Sequence, residues 1–150
     1  MATVDDVAGY VLAKLGAMSA YKLQKLVYYS QAWHLAWEEV PLFSERIEAW
    51  ANGPVCPTLY KHHQGMFKIQ PPWGYGNAAH LTESERESVD AVLAYYGDKS
   101  PQWLSDLTHM EDPWIKAREG LAPAERGNAE ITQTSMFEFY QALSMDPSAH

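Results

Sequence analysis

The stretch from Ser19 to Glu39 constrains the fold more than any other part of this chain. Ser19 stands where a helix N-cap belongs, its hydroxyl placed to accept a hydrogen bond from the first turn. Behind it, KLQKLVYYSQAWHLA (Lys22–Ala36) has almost no continuous polar side when wound at helical spacing. Leu23, Leu26, Val27, Ser30, His34 and Trp37 make one apolar stripe. Tyr29, Trp33 and Ala36 lie on a second side with Lys22 and Lys25, while Tyr28 and Leu35 share a third with Gln24 and Gln31. A helix apolar nearly all round belongs at the centre of a fold, wrapped by other elements. Val40-Pro41 ends it, because proline disfavours helix in the residue before it.

The flanking sequence supplies the wrapping. Thr3 followed by Asp5 and Asp6 predicts a helix start, and Val4, Val7, Ala8, Val11, Leu12 and Leu15 recur at helical spacing up to Gly16. The segment IEAWANGPVCPTLY (Ile47–Tyr60) opens like a strand, turns at Asn-Gly-Pro, and offers Pro57 as the first residue of a helix reaching about Met66. Between Phe67 and Leu81 the pattern is lost, and PPWGYGNAAH reads as a surface loop. Thr82 and Glu85 form a capping box for a helix carrying Val89, Val92, Leu93 and Tyr96, ended by Gly97.

Ser100-Pro101 starts a short helix with Trp103, Leu104 and Leu107, and Asp112-Pro113 marks a further turn carrying Trp114. Residues 120–130 read as loop. A last helix over Ser135–Ser144 turns Met136, Phe137, Tyr140 and Leu143 inward, and Met145–His150 reads as a frayed tail. The expectation is one mainly α domain over residues 1–150: a compact helical bundle around a central hydrophobic helix, with a small β-hairpin near 47–55.

Charge and cysteine usage narrow the partners. A net charge of −8 repels the phosphate backbone that supplies most non-specific nucleic-acid affinity, so autonomous nucleic-acid binding is not expected. Docking onto an anionic membrane is disfavoured for the same reason. The single Cys56 allows no intrachain disulfide, and the N-terminus carries aspartates where a signal peptide would be basic. No stretch approaches the roughly 20 apolar residues of a membrane span. These features predict a soluble, cytoplasmic protein.

Motifs for chemistry are missing. Cys56, His62, His63, His80 and His109 match no paired metal-ligand spacing, and no cofactor motif is present, so neither metal nor cofactor is expected. Cys56 lacks a local base or electropositive neighbourhood and reads as a small buried hydrophobe. His62 and His63 read as surface residues of a short helix. Glu83, Glu85, Glu87 and Asp90 fall on an outer helix face. His34 and His109 read as core histidines bonded to backbone or carboxylate, with Glu48 a candidate partner for one of them or for Lys22 or Lys25. An enzyme would have to be built from His34, Cys56, His109 or Glu48, and the expectation is that this is not one.

Six tryptophans and nine tyrosines are the remaining anomaly. Trp33, Trp37, Trp50, Trp103 and Trp114 fall where helices should pack. Trp73 and Tyr75 sit in the PPWGYG loop, where they serve either as rigid interface anchors or as a cover folded back over the core.

Two adjacent blocks, KLQKLVYYSQAWHLA and then PLF with IEAWANGPVCPTLY, together with the later Leu107-Thr108-His109 and Pro113-Trp114, resemble the Panacea domain, the SocA-like antitoxin family. The resemblance runs from about Ser19 to Arg118. It implies a type II antitoxin that binds a cognate toxin protein directly, with a further mode in which the toxin is presented to a Clp-type protease. The alternative is a phage- or host-associated interaction module without a toxin. The interface expected on the chain comprises the turn Trp50, Asn52, Gly53 and Pro54 and the loop residues Trp73 and Tyr75, with Lys22 and Lys25 as polar contacts.

Overall fold

The computed structural model describes residues 1–143, and the expected tail Met145–His150 lies outside them. Helix α1 (Val4–Leu15) starts on Thr3, whose hydroxyl accepts from the Asp6 amide while the Asp6 carboxylate accepts from the Thr3 amide. Helix α2 (Ala20–Glu38) starts on Ser19 and ends where Glu39 takes a left-handed conformation, φ 62°. Nearly all of α2 is buried from Ala20 to Ala36, as a helix without a polar side requires. Helices α1, α4 (Glu83–Tyr96), α5 (Pro101–Thr108) and α7 (Gln133–Ala142) pack around it. With α3 (Pro57–His63) and α6 (Asp112–Ala117) these make seven α-helices among the described residues.

The strands are short. Met18–Ser19 (β1) pairs antiparallel with Lys68–Ile69 (β4). Ile47–Trp50 (β2) pairs with Gly53–Val55 (β3) as the expected hairpin, and on its other side with Glu130–Ile131 (β5). The fold is therefore mainly α with small hairpins around one continuous core. Three local expectations are corrected. Residues 112–117 form a helix rather than a turn, because Pro113 starts one as readily as it ends one. Helix α3 stops at His63, short of Met66. Glu130–Ile131 is a strand, whose pairing with a distant partner leaves no local pattern to read.

The polar letters of the central helix are spent on its neighbours. The Gln24 side chain accepts from the Cys56 amide at 2.9 Å and donates to the Cys56 carbonyl at 3.3 Å. Gln31, two turns on, does the same to the next segment, accepting from the Leu42 amide at 2.7 Å and donating to the Phe43 carbonyl at 2.7 Å. Two buried amides thus clamp the irregular backbone on either side of the β2–β3 hairpin. His34 is buried and bonded to the Ser88 hydroxyl at 2.7 Å, joining α2 to α4. Burial lowers its pKa below the usual histidine value.

Trp73 resolves the open question about the PPWGYG loop in favour of a cover. It is buried, and its indole N–H donates to Asp5 Oδ1 at 3.0 Å. The same oxygen meets His62 Nδ1 at 2.9 Å, while Asp6 accepts from the Asn77 amide at 2.7 Å. The two aspartates at the start of α1 therefore hold the loop down. Trp73 is accordingly corrected from interface anchor to core residue. Tyr75 is 58% exposed and stacks on His62 with ring centroids 4.0 Å apart.

Candidate functional site

The turn joining β2 and β3 is held by side chains from three helices. The Trp50 carbonyl accepts from the Trp114 indole at 2.8 Å, and the Ala51 carbonyl faces His109 Nε2 at 3.1 Å. The Asn52 carbonyl accepts from the Tyr21 hydroxyl at 2.8 Å and the Ser105 hydroxyl at 3.2 Å. Three successive carbonyls are thus tied to α2, α5 and α6, which fixes the turn's backbone and leaves the Asn52 side chain exposed. His109 is completed by the Ser105 carbonyl, 2.6 Å from Nδ1, and by an edge contact with Trp114. Arg118 braces the arrangement from behind, donating to the Ala49 carbonyl at 3.0 Å and to the Glu125 carbonyl.

Two clefts flank this turn and share Trp50 and Asn52 as walls. One, about 560 Å³, is lined by Glu48, Trp50, Asn52, Arg126 and Asn128. The other, about 490 Å³, runs between α2 and α3 and is lined by Tyr21, Trp50, Tyr60, His63 and Phe67, with Lys25 beneath. Asn52 is exposed and Trp50 half-buried, its ring edge-on to Tyr60 at 5.0 Å. Phe67, at the lip of the second cleft, is 85% exposed, and its neighbour Met66 is exposed as well. Rigid aromatics around a preformed concavity are what a protein-binding surface needs, because little side-chain entropy is lost on docking.

The other expected contacts fall elsewhere. Gly53 and Pro54 are buried, so their part is to shape the turn. Gly53 has φ 122°, and a Cβ there would lie 2.5 Å from Lys25 Cε. Lys22 donates to the Gly97 carbonyl at 2.8 Å, capping the end of α4 rather than facing a partner. Lys25 has no exposed surface; its ammonium lies 4.2 Å from the Tyr21 ring centroid and 3.5 Å from the Pro54 carbonyl. Burial pulls its pKa down to about 7. Glu48 is not a histidine or lysine partner: it pairs with Arg46 at 3.0 Å and accepts from the Trp50 indole at 2.8 Å, orienting that ring. His63 is buried against Gln24 at 2.9 Å, which corrects the expectation of a surface position.

Sequence reasoning missed Glu111. It sits at the N-cap of α6, buried among Tyr29 and Tyr140, whose hydroxyls donate to it at 2.7 and 2.8 Å. The position just before an Asp-Pro helix start was the available signal, but nothing local says that such a cap points into the core. No group of three or more potential metal ligands occurs among the described residues. Cys56 is buried, and its thiol is pushed up to about 11 by that burial.

A family model described as antitoxin SocA-like, Panacea domain, matches residues 23–115, more than half of the chain. The chain belongs to this antitoxin family, and the match takes in most of α2, the hairpin, α3, α4, α5 and the start of α6. No curated protein and no solved structure gives a significant match. Among the described residues no helix is long and apolar enough to cross a membrane.

Proposed function

We propose that this protein neutralises a toxin by binding it directly, through the face built around Trp50 and Asn52. The observation that carries the reading is the turn itself, with three successive carbonyls anchored to three helices and a cleft on either side. Preorganisation of this kind lowers the ordering cost of association and favours stoichiometric binding. The chain's charge of −8 suits a basic toxin, whose approach it accelerates. The protein acts in the cytoplasm and is not an enzyme in this reading. Its buried, high-pKa thiol suits a structural role better than a nucleophilic one. Delivery of the captured toxin to a Clp-type protease is a second step of the proposal.

Expressing the product of the adjacent gene alone should arrest growth, and co-expression of this chain should restore it. Asn52→Arg, at an exposed side chain, should abolish both rescue and co-purification while leaving the melting temperature unchanged. A shorter half-life of the toxin in cells containing the protease and this chain would support delivery. Absence of both rescue and complex would sink the antitoxin reading and favour an interaction module without a toxin.

A further inference from the structure

The cleft between α2 and α3 lacks the acidic side chains that dominate the rest of the chain. The protein carries nineteen Asp and Glu against eleven Lys and Arg, yet no carboxylate lines this cleft. Its walls include Tyr21, Trp50, Tyr60, His63 and Phe67, with the fully buried Lys25 beneath them. An ammonium has three N–H donors. Among the described residues this one donates to the Pro54 carbonyl in a long hydrogen bond of 3.5 Å, with the Tyr21 ring face covering another side. A buried cation so thinly paired is costly, and an anion placed nearby relieves that cost.

We propose that this cleft receives the C-terminal residue of a partner chain, with its apolar side chain between the aromatic walls and its carboxylate toward Lys25. The proposal rests on the reading of this face as the toxin-binding one and names the part of the toxin it grips. A chain end is the place where a polypeptide carries a carboxylate and an apolar side chain on the same carbon, which matches this pairing of wall and charge. The volume of about 490 Å³ suits one or two residues rather than a helix. The carboxylate meets the ammonium's field through a protein wall rather than through water, where screening is weakest. Burial already holds the Lys25 ammonium near the edge of ionisation at neutral pH, so an anion that favours its charged form makes binding proton-linked. The cleft's other titratable groups are Tyr21, Tyr60 and His63, the histidine with its pKa lowered by burial, and Lys25→Met separates their contribution.

The test needs no toxin. N-acetyl-phenylalanine is titrated into the labelled full chain, following the Trp50 indole and the Met66 and Phe67 amides by NMR. N-acetyl-phenylalaninamide and acetyl-Asp-Phe-amide are titrated in parallel. The free acid should bind about tenfold more tightly than the amide, and also more tightly than the side-chain carboxylate peptide. Its affinity should fall about fivefold between roughly pH 6 and pH 9. Lys25→Met, a neutral replacement of similar shape, should erase both the preference and the pH dependence. Phe67→Ala, at an exposed lip, should weaken all three ligands without touching the fold. Equal binding of acid and amide, no binding at millimolar ligand, or a preference that survives Lys25→Met would overturn the proposal. These outcomes are separable from growth rescue: a cleft that prefers the free acid without rescue defeats the antitoxin reading alone, and rescue without that preference defeats the cleft assignment alone.

Discussion

Tyr29 and Glu111 meet at 2.7 Å in the middle of the core, where the carboxylate of a helix cap takes the hydroxyl of the central helix. Tyr140 adds a second donor at 2.8 Å, and Tyr28 bonds Tyr140 at 3.0 Å. Burial raises the Glu111 pKa to about 7, and the two hydroxyls only partly offset it. The folded state then holds this proton more tightly than the unfolded one between about pH 4.5 and 7. Within that window the contribution of Glu111 to stability falls as pH rises, by on the order of 3 kcal/mol in total. Glu111→Gln keeps an acceptor for both tyrosines and removes the titration. Urea midpoints of the two proteins should diverge with rising pH, the variant becoming the more stable above pH 7; parallel curves would refute this account.

Gly53 and Lys25 are in contact where a side chain at Gly53 would not fit, with Cβ 2.5 Å from Lys25 Cε and φ at 122°. Gly53→Ala should therefore cost about 2–4 kcal/mol, combining backbone strain and overpacking. Gly16 also has positive φ, 82°, but its Cβ would meet nothing within 4 Å. Gly16→Ala, at φ 82° and ψ −164° where side-chain-bearing residues are rarely found, should cost about 1–3 kcal/mol from strain alone, so thermal melts of the two variants separate strain from collision. Equal losses would mean that the lysine yields freely.

Asp5 holds the Trp73 indole and His62 with one oxygen. Asp5→Ala leaves the indole N–H buried and unpaired, at a cost of about 1–3 kcal/mol. Hydrogen exchange should quicken across residues 71–80 and stay slow in α2. Unchanged protection of the loop would show that its own packing suffices.

Cys56 should behave as a packed side chain. With its thiol buried and pushed up to about 11, alkylation of the native protein should run at least about a hundredfold slower than that of a free thiol. Full reactivity should return in denaturant. Fast native labelling would reopen the case for a nucleophile.

Most of the helices, the hairpin and the family were legible in local sequence, while α6 and the short strand at Glu130–Ile131 were not. Helical periodicity, the caps at Thr3, Ser19, Thr82 and Ser100, and the helix-starting Pro57 are local signals, and the structure places helices on each of them. That α2 is central also followed from its wheel, since a helix without a polar side must be enclosed on all sides. What the polar letters do depends on packing across the whole fold. Gln24 and Gln31 share a side with Tyr28 and Leu35 on the wheel, yet they clamp distant backbone; Lys22 and Lys25 read alike, yet one caps α4 and the other is entombed. Trp73 and Tyr75, two residues apart, part ways for the same reason: Asp5 reaches one indole across the fold and leaves the neighbouring ring at the surface. A hydrogen bond between residues tens of positions apart depends on where the whole chain packs, and no window of sequence contains that information.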